Sequence, residues 1–398
     1  MNRGILYISY DGMLEPLGQS QVLAYLERLA PGRRIHLISF EKPRDWNDKK
    51  LRDNIGRRIA AAGIRWHPLR YHKSPSAPAT ALDVAAGTTL AIGLVLRHRI
   101  GIVHARSYVP GLMALAAKRA TGASFLFDMR GFWADERVDG NLWSAGGRLY
   151  RAAKRTERKL LLAADQVVTL THASETELRG WPYLQGRMPP ISVIPTCADL
   201  DRFTVQGPPQ RDPFVLGYVG SVGTWYLLDE MLRCFVLLQR QKPGARLLIV
   251  NRGEHQLIRE RLAAAQIGEG TVELTAADHV DVADHINRMS AAMALIKPAY
   301  SKIASAATKV GEYLGCGVPC LGTSGVGDME QVLEGNRVGV ALSKWTDGDL
   351  EDAVGRLTEL AHEDGVQQRC RQAAMDIFSL AHGAQAYAAI YDALGDRR

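Results

Sequence analysis

Along the first half of the chain, short apolar runs alternate with segments whose apolar residues recur every three or four positions. The runs Ile5–Tyr10, Ile35–Phe40, Ile64–Leu69, Ile102–Ala105, Ser124–Asp128, Gln166–Leu170 and Ile191–Ile194 predict strands. Helical periodicity lies between them, over Gln19–Leu29, Lys49–Ala62, Thr80–Arg97, Gly111–Arg119, Gly146–Ala163 and Ala173–Gly180. Alternation at this rhythm predicts a parallel sheet with helices on both faces. Pro195–Pro213 breaks the rhythm with four prolines in a polar background, and reads as a linker. The pattern then restarts: strands over Phe214–Val219, Arg246–Val250, Val272–Leu274, Ala292–Ile296, Pro319–Leu321 and Gly339–Leu342, with helices over Leu227–Arg240 and His255–Ala265. The end is helical, over Asp347–Ala361, Val366–Phe378 and Ala381–Leu394. The expected fold class is therefore α/β, with two Rossmann-like doubly wound domains, residues 1–197 and 198–378, and a last helical segment, 379–398. Ligands in such sheets bind at the carboxyl ends of strands.

The stretch SKIASAATKVGEYLGCGVP, residues 301–319, holds the densest candidate chemistry. It follows the predicted strand ending at Ile296, and a helix is expected from about Ser305, stopped by Gly315 and Gly317 and closed by Pro319. A fresh helix N-terminus offers free N–H groups and a favourable dipole to an anion. Lys302, Lys309 and the hydroxyls of Ser301, Ser305 and Thr308 add to it. Glu312, three residues beyond Lys309, falls on the same side of the helix and can accept from a ribose diol while the helix start holds a diphosphate. The alternative reading is an ordinary helix with a solvated polar face.

The form S-K-x-A-S-x-x-T-K-x-x-E-Y-L-x-x-G-x-P resembles the donor-site signature of glycosyltransferase family 4, retaining enzymes of the GT-B architecture. Glu312 matches the second glutamate of that family's E-x7-E pattern, while the first falls on Ala304. Near the start, D-G-M-L-E-P-L-G-Q-S-Q-V, with Gly12 and Gly18 flanking a loop, resembles a bacterial subgroup engaged in surface polysaccharides. Gly18 is placed by this loop among the donor-binding candidates. The resemblance implies a cleft between the domains and a last helix crossing back onto the first.

Other candidates sit at predicted strand ends. HARSYVPG, residues 104–111, reads as a cleft-facing loop whose His104 matches a family histidine that approaches the donor sugar. The same residue also reads as a core histidine. Arg106 is expected to point away from His104, as an acceptor contact. FDMRGFWADERVDG, residues 127–140, gathers Arg130 and Glu136 around Phe132 and Trp133, a set suited to stacking on a sugar and bonding its hydroxyls. We take His104, Arg130 and Glu136 as catalytic candidates, and Arg106, Phe132, Trp133 and His172 as acceptor-binding ones. In YVGSVGTWY, residues 218–226, Gly220 and Ser221 form the glycine turn of the second domain. Ser221 and Tyr226 stand where many members carry cations, and Arg252, together with Lys302 and Lys309, is expected to supply the missing charge. GTSGVGDMEQVL, residues 322–333, is a further glycine-rich loop opening a helix.

The 398 residues carry a net charge of +7, unevenly placed. Residues 1–200 hold 29 Lys and Arg against 17 Asp and Glu, a surplus of 12; the remainder hold 20 against 25, a deficit of 5. The first half is thus expected to face something anionic. Without zinc-finger spacing, an RNP-like aromatic motif or a helix-turn-helix, an anionic lipid surface or phosphorylated acceptor is expected rather than nucleic acid. Five cysteines without metal-ligand spacing, and an N-terminus running straight into a strand, read as a cytoplasmic chain with no signal peptide. No apolar run approaches a membrane span, and Val84–Leu96 reads as a buried helix. There is no Asp-x-Asp motif at a strand end, which is consistent with metal-independent transfer; the resemblance implies a nucleotide-diphosphate sugar as donor, and no cofactor is expected. The expected activity is retaining transfer of a sugar to a lipid-linked or surface saccharide. Two alternatives are a nucleotide-sugar epimerase of the same architecture and a catalytically reduced binding subunit, the latter motivated by Ala304 and the absent cations.

Overall fold

A computed structural model describes residues 4–74, 76–278 and 281–396. The chain divides into two compact units, Met1–Ile194 with Leu380–Arg398, and Pro195–Ser379. The first holds a seven-stranded sheet of β1 (Gly4–Ser9), β2 (Ile35–Glu41), β3 (Arg65–Arg70), β4 (Ile100–Arg106), β5 (Ser124–Asp128), β6 (Gln166–Thr169) and β7 (Ile191–Val193), in the order β3-β2-β1-β4-β5-β6-β7. The second holds β8 (Val215–Val219), β9 (Arg246–Val250), β10 (Val272–Thr275), β11 (Ala291–Ala294), β12 (Cys320–Thr323) and β13 (Gly339–Leu342), in the order β10-β9-β8-β11-β12-β13. Every pairing is parallel, with Ile5 opposite both Ile35 and Ile102, for example. Every residue of β1 is buried, as a central strand covered on both faces requires. In each sheet the order reverses beside the first strand, between β1 and β4 and between β8 and β11. Such a reversal opens a crevice at the carboxyl ends of those strands.

The segment expected to be a linker is wired into the second unit. Leu200 and Phe203 are buried in its core, and Ala198 pairs with Ser379 while its amide donates to Phe378 O at 2.8 Å. The Arg371 guanidinium donates to the carbonyls of Leu200 (2.9 Å) and Phe203 (2.6 Å), which have no sheet or helix of their own, and to that of Gly315 (3.0 Å) at a helix C-terminus. A polar, proline-rich composition concealed two anchors.

Two further expectations are corrected, and one stretch gains an element that its sequence pattern did not assign. Helix formation after β11 begins at Thr308, not Ser305; residues Tyr300–Ala304 form a separate 3-10 turn. The aromatic–acidic stretch after β5 contains a helix, Trp133–Asp139. The helix Ser76–His98 is longer and more apolar than expected: within Pro78–His98, 21 residues, an 18-residue stretch has mean hydropathy 1.7 and is 33% buried. By length and composition it could cross a membrane, and it is not the buried helix that Val84–Leu96 predicted.

The last helix, Leu380–Asp396, packs within the first unit. Its Tyr387 and Tyr391 are buried and reach β4 and β5 beneath it.

Candidate functional site

In the second unit, β8 runs out at Val219 and the chain turns through Gly220 at φ +125°, a conformation open to glycine. A Cβ there would lie 3.0 Å from Lys309 Nζ, so the turn and the lysine are fitted to each other. The turn is fixed from below by residues the sequence reading missed. Asn251, buried after β9, donates from Nδ2 to Gly220 O (2.9 Å) and Glu254 Oε2 (2.8 Å), and Glu254 accepts from Val222 N at 3.0 Å. Tyr313, from the helix Thr308–Gly315, accepts from Val219 N at 2.9 Å.

Lys309 stands in the first turn of that helix. It is 8% exposed, and its ammonium donates to the Tyr218 hydroxyl at 2.9 Å while lying 4.1 Å from the Tyr218 ring centroid and 3.7 Å from that of Tyr226. Two ring faces attract a cation but do not neutralise it. Burial lowers the Lys309 pKa to about 7, and the nearby Glu312 opposes that shift. Burial likewise pushes the half-buried Glu312 up to about 7, against Lys309 and Arg202. Among the described residues no carboxylate lies within ion-pair distance of Lys309. Lys302, 6% exposed, sets its ammonium 3.7 Å from the Trp225 ring centroid, next to Tyr226. Its carbonyl accepts from Gly327 N at 2.8 Å, tying this turn to the glycine-rich loop after β12. Ser301 is buried, and Ser305 and Thr308 are half-buried. Ala307 precedes the helix and brings no side-chain cap, so the first-turn amides have no side-chain acceptor there. A buried cation on aromatic rings beside an uncapped helix start is suited to an anion.

The structure does not bring the rest of the predicted donor set to the same place with equal force. Ser221 is exposed, and its carbonyl accepts from the Tyr218 hydroxyl. Arg252 is exposed at the surface, bonded to Asp278 at 2.6 Å and to Ala277 O at 3.2 Å, so its charge is already engaged. Ala304, at the place of the first family glutamate, is fully buried. Gly18 belongs to the first unit and has a packing reason: a Cβ there would lie 1.9 Å from Gly12 O. In that same loop the buried Glu41 carboxylate accepts from Met13 N (2.9 Å) and Leu14 N (3.2 Å), taking donors that an anion would need.

In the first unit, His104 lies inside β4 rather than in a loop. It is 1% exposed, its Nδ1 is 2.7 Å from the Tyr391 hydroxyl, and its Nε2 is 3.7 Å from Asp128 Oδ2. Burial lowers its pKa below the ordinary histidine value despite Asp128. The core reading of His104 is the one the structure supports. Arg106 was expected to face away from it, but residues two apart on a strand share a face. Arg106 donates to Asp11 Oδ2 at 2.8 Å and, with Arg130, acts on both His104 and Asp128. Burial pulls the Asp128 carboxyl upward, but Arg130, His104 and Arg106 together leave it below the ordinary value. Two non-glycine residues at these strand ends hold left-handed φ, Ser107 at +73° and Arg130 at +60°. Such strain gathers where a surrounding structure fixes a functional geometry.

Phe132 is not a sugar platform: it is 1% exposed and packs 5.4 Å from the Trp181 ring. Trp133 is half-buried between Tyr108 (5.7 Å) and Trp143 (5.1 Å), and Glu136 is half-buried on the next turn. His172 is exposed, 3.7 Å from Glu175. Among the described residues no group of three or more His, Cys, Asp or Glu is placed to hold a metal. All five cysteines are buried free thiols.

Comparison with known proteins follows the same two-part division. Residues 20–197 match the profile of a glycosyl transferase 4-like domain, and residues 201–376 that of glycosyl transferases group 1. No curated protein matches the chain. Among solved structures, a sucrose-phosphate synthase from Thermosynechococcus elongatus is similar over 100% of both chains, at 14% identity and a TM-score of 0.75. A glycosyltransferase from Rickettsia africae is similar over 100% of both chains, at 14% identity and 0.69. The Anabaena protein HepE, solved in complex with UDP, is similar over 98% of this chain and 100% of its own, at 14% identity and 0.66. At such identities the likeness shows the fold, which is GT-B.

Proposed function

Since the chain belongs to the glycosyltransferase 4-like family, a glycosyltransferase of GT-B architecture, we propose that it is a retaining enzyme using a nucleotide-diphosphate sugar. The acceptor is a lipid-linked or surface-polysaccharide saccharide, in the manner of the bacterial subgroup its N-terminal loop resembles. The observation that carries the donor reading is Lys309, a buried ammonium seated on two rings beside a helix start, with no carboxylate paired to it among the described residues. A diphosphate supplies the missing negative charge, Lys302 extends the cationic seat, and Glu312 accepts from the ribose diol. That HepE has been solved with UDP-glucose supports a nucleotide-sugar donor.

Transfer with retention requires the acceptor hydroxyl and the leaving diphosphate on one face of the sugar. The sugar–diphosphate bond breaks, the bond to the acceptor oxygen forms on that face, and the acceptor proton passes to the leaving diphosphate oxygen. Lysines and a helix start stabilise the departing charge without requiring a metal. Arg130, Glu136 and Trp133 position sugar and acceptor. His104 acts as a positioning residue, holding Asp128 and through it Arg130. The enzyme works at the inner face of the cell membrane, drawn there by the first half's surplus of 12 positive charges.

The test is a thermal-shift panel of UDP, GDP, TDP and their sugars, followed by NMR of the product formed in chelator. A ligand at 100 times its dissociation constant stabilises by ~2.7 kcal/mol. Charge-assisted bonds are worth ~1.5–3 kcal/mol each, so Lys309→Ala is expected to weaken nucleotide binding about tenfold or more. An inverted anomeric product, or a trapped glycosyl-enzyme, would overturn the retaining mechanism.

A further inference from the structure

Beside the carboxyl ends of β2 and β3 the first unit carries a groove that the donor site does not use. Its volume is about 540 Å3, and its walls are Lys42, Arg44, Arg70, Tyr71, His72 and Lys73. It shares Pro43 and Arg70 with a second hollow of about 420 Å3, walled by Trp46, Pro68 and Leu69. Lys42 is ion-paired with Glu15, and His72 lies 2.6 Å from Asp83. Arg44, Arg70 and Lys73 have no carboxylate within ion-pair distance among the described residues. The carboxylate of the second hollow, Glu41, is 2% exposed and turned to the amides of Met13 and Leu14. Three cations thus line a concave surface with no carboxylate partner among the described residues.

The groove adjoins the apolar helix. Asp83, buried in the second turn of the helix Ser76–His98, accepts from His72 N at 3.1 Å and from the Tyr10 hydroxyl at 2.7 Å, fastening the groove wall to that helix. From this point the outward face runs Ala81, Leu82, Ala85, Ala86, Thr89, Gly93 and Leu96, all exposed and all uncharged. Leu82 is 57% and Leu96 64% exposed. Large exposed leucines in line on a helix, with no charge among them, mark a surface that some apolar partner covers.

We propose that this groove seats the phosphate head group of a membrane lipid, with the lipid's hydrocarbon against the exposed face of the helix. The inference deepens the reading above, resting on its membrane-borne acceptor, but makes no use of the donor site. Charge and shape choose the occupant. Unpaired guanidinium groups bind phosphate oxygens in a fixed fork, and the apolar strip beginning one helical turn away fits an acyl or polyprenyl chain. A free sugar phosphate would use the groove and leave the strip bare; a purely apolar peptide would do the reverse. The helix lies on the membrane surface in this arrangement, since Asp83 and its partners hold its second turn to the unit.

The experiment is vesicle flotation of the full chain at fixed physiological salt, with phosphatidylglycerol–phosphatidylcholine vesicles and with phosphatidylcholine alone. Binding is expected to the anionic vesicles and to be reduced at least tenfold in a variant carrying Arg44→Gln, Arg70→Gln and Lys73→Gln. Leu82→Ser with Leu96→Ser is expected to reduce it about fivefold with the cations intact. A charge-matched variant, Arg148→Gln, Arg151→Gln and Arg155→Gln, removes exposed cations from another helix of the same unit and is expected to bind almost as the parent does. An equal loss in that variant would mean diffuse attraction and overturn the groove. Pyrophosphate binding that the triple variant loses, without vesicle binding by the parent, would overturn the lipid, and so would single-stranded RNA bound as tightly as the vesicles. Hydrogen exchange across β1, β4 and β5 of each variant reports that the first unit is folded. Vesicle binding kept while the parent fails to bind any nucleotide would instead count against the donor reading alone.

Discussion

Lys309 carries the most specific consequence at the scale of single residues. With its pKa lowered to about 7 by burial, the free protein loses that charge as pH rises through neutrality. A bound diphosphate favours the ammonium, so its pKa is higher in the complex than in the free protein. Between the two values binding takes up a proton, and by linkage affinity falls by up to about tenfold per pH unit. Affinity for the nucleoside diphosphate is therefore expected to be level below about pH 7 and to decline above it. Lys309→Gln removes the charge at every pH and should flatten the profile over that range. Calorimetry at several pH values checks this, and an unchanged slope in the variant would assign the proton elsewhere. The cation itself was legible in the sequence as part of S-K-x-A-S-x-x-T-K. Its environment was less so: YVGSVGTWY displayed three aromatics, but only the folded turn sets Tyr218 and Tyr226 on the ammonium and Trp225 on Lys302. The opposite error occurred at Phe132, where an aromatic beside charges was read as a platform and burial against Trp181 decides otherwise.

The lesson at the scale of elements concerns segments without periodicity. Strand–helix alternation was legible throughout, because central parallel strands must be apolar at nearly every position. The segment after Pro195 has no period to read, yet it is held by a side chain more than 150 residues away in sequence: Arg371, on the helix Val366–Phe378, bonds two of its carbonyls and that of Gly315. Replacing it with methionine keeps much of the stem and leaves the carbonyls of Leu200, Phe203 and Gly315 without that donor. Hydrogen bonds to a charged group are worth ~1.5–3 kcal/mol each, so a loss of several kcal/mol is expected, less what water recovers. Denaturant unfolding of Arg371→Met should show it, with Arg252→Met, on an exposed arginine, as a near-neutral control. Equal midpoints for the two would mean that the buried Leu200 and Phe203 and the backbone bond of Ala198 hold the segment without Arg371.

At the scale of the whole molecule, the chain enters the second unit at Pro195, leaves it at Ser379 and completes the first unit with its last helix. The family resemblance implied that return; the residues that fix it were not apparent, since tyrosines at 387 and 391 read as ordinary helix positions. In the fold, Tyr391 meets Nδ1 of His104 at 2.7 Å and Tyr387 donates to Asp128 Oδ2 at 3.1 Å, both within a buried cluster that includes Tyr7. Leu380, Tyr387, Tyr391 and Leu394 are each at most 4% exposed. Burial of side chains of this size contributes roughly 1.5–3 kcal/mol apiece. Their sum rivals the ~5–15 kcal/mol that ordinarily separates folded from unfolded domains. Ending the chain at Ser379 is therefore expected to cost the first unit most of its stability. Hydrogen exchange read by mass spectrometry should show protection lost across β4, β5 and the helix Ala24–Leu29, which the last helix covers, and kept in β8 and β11–β13. The milder Tyr391→Phe leaves one buried nitrogen of His104 without its partner, at a cost of about 1–3 kcal/mol. Its exchange should rise in β4 before β6. Should the shortened chain keep full protection in β4 and β5, the last helix would be an attachment to the first unit and not part of its core.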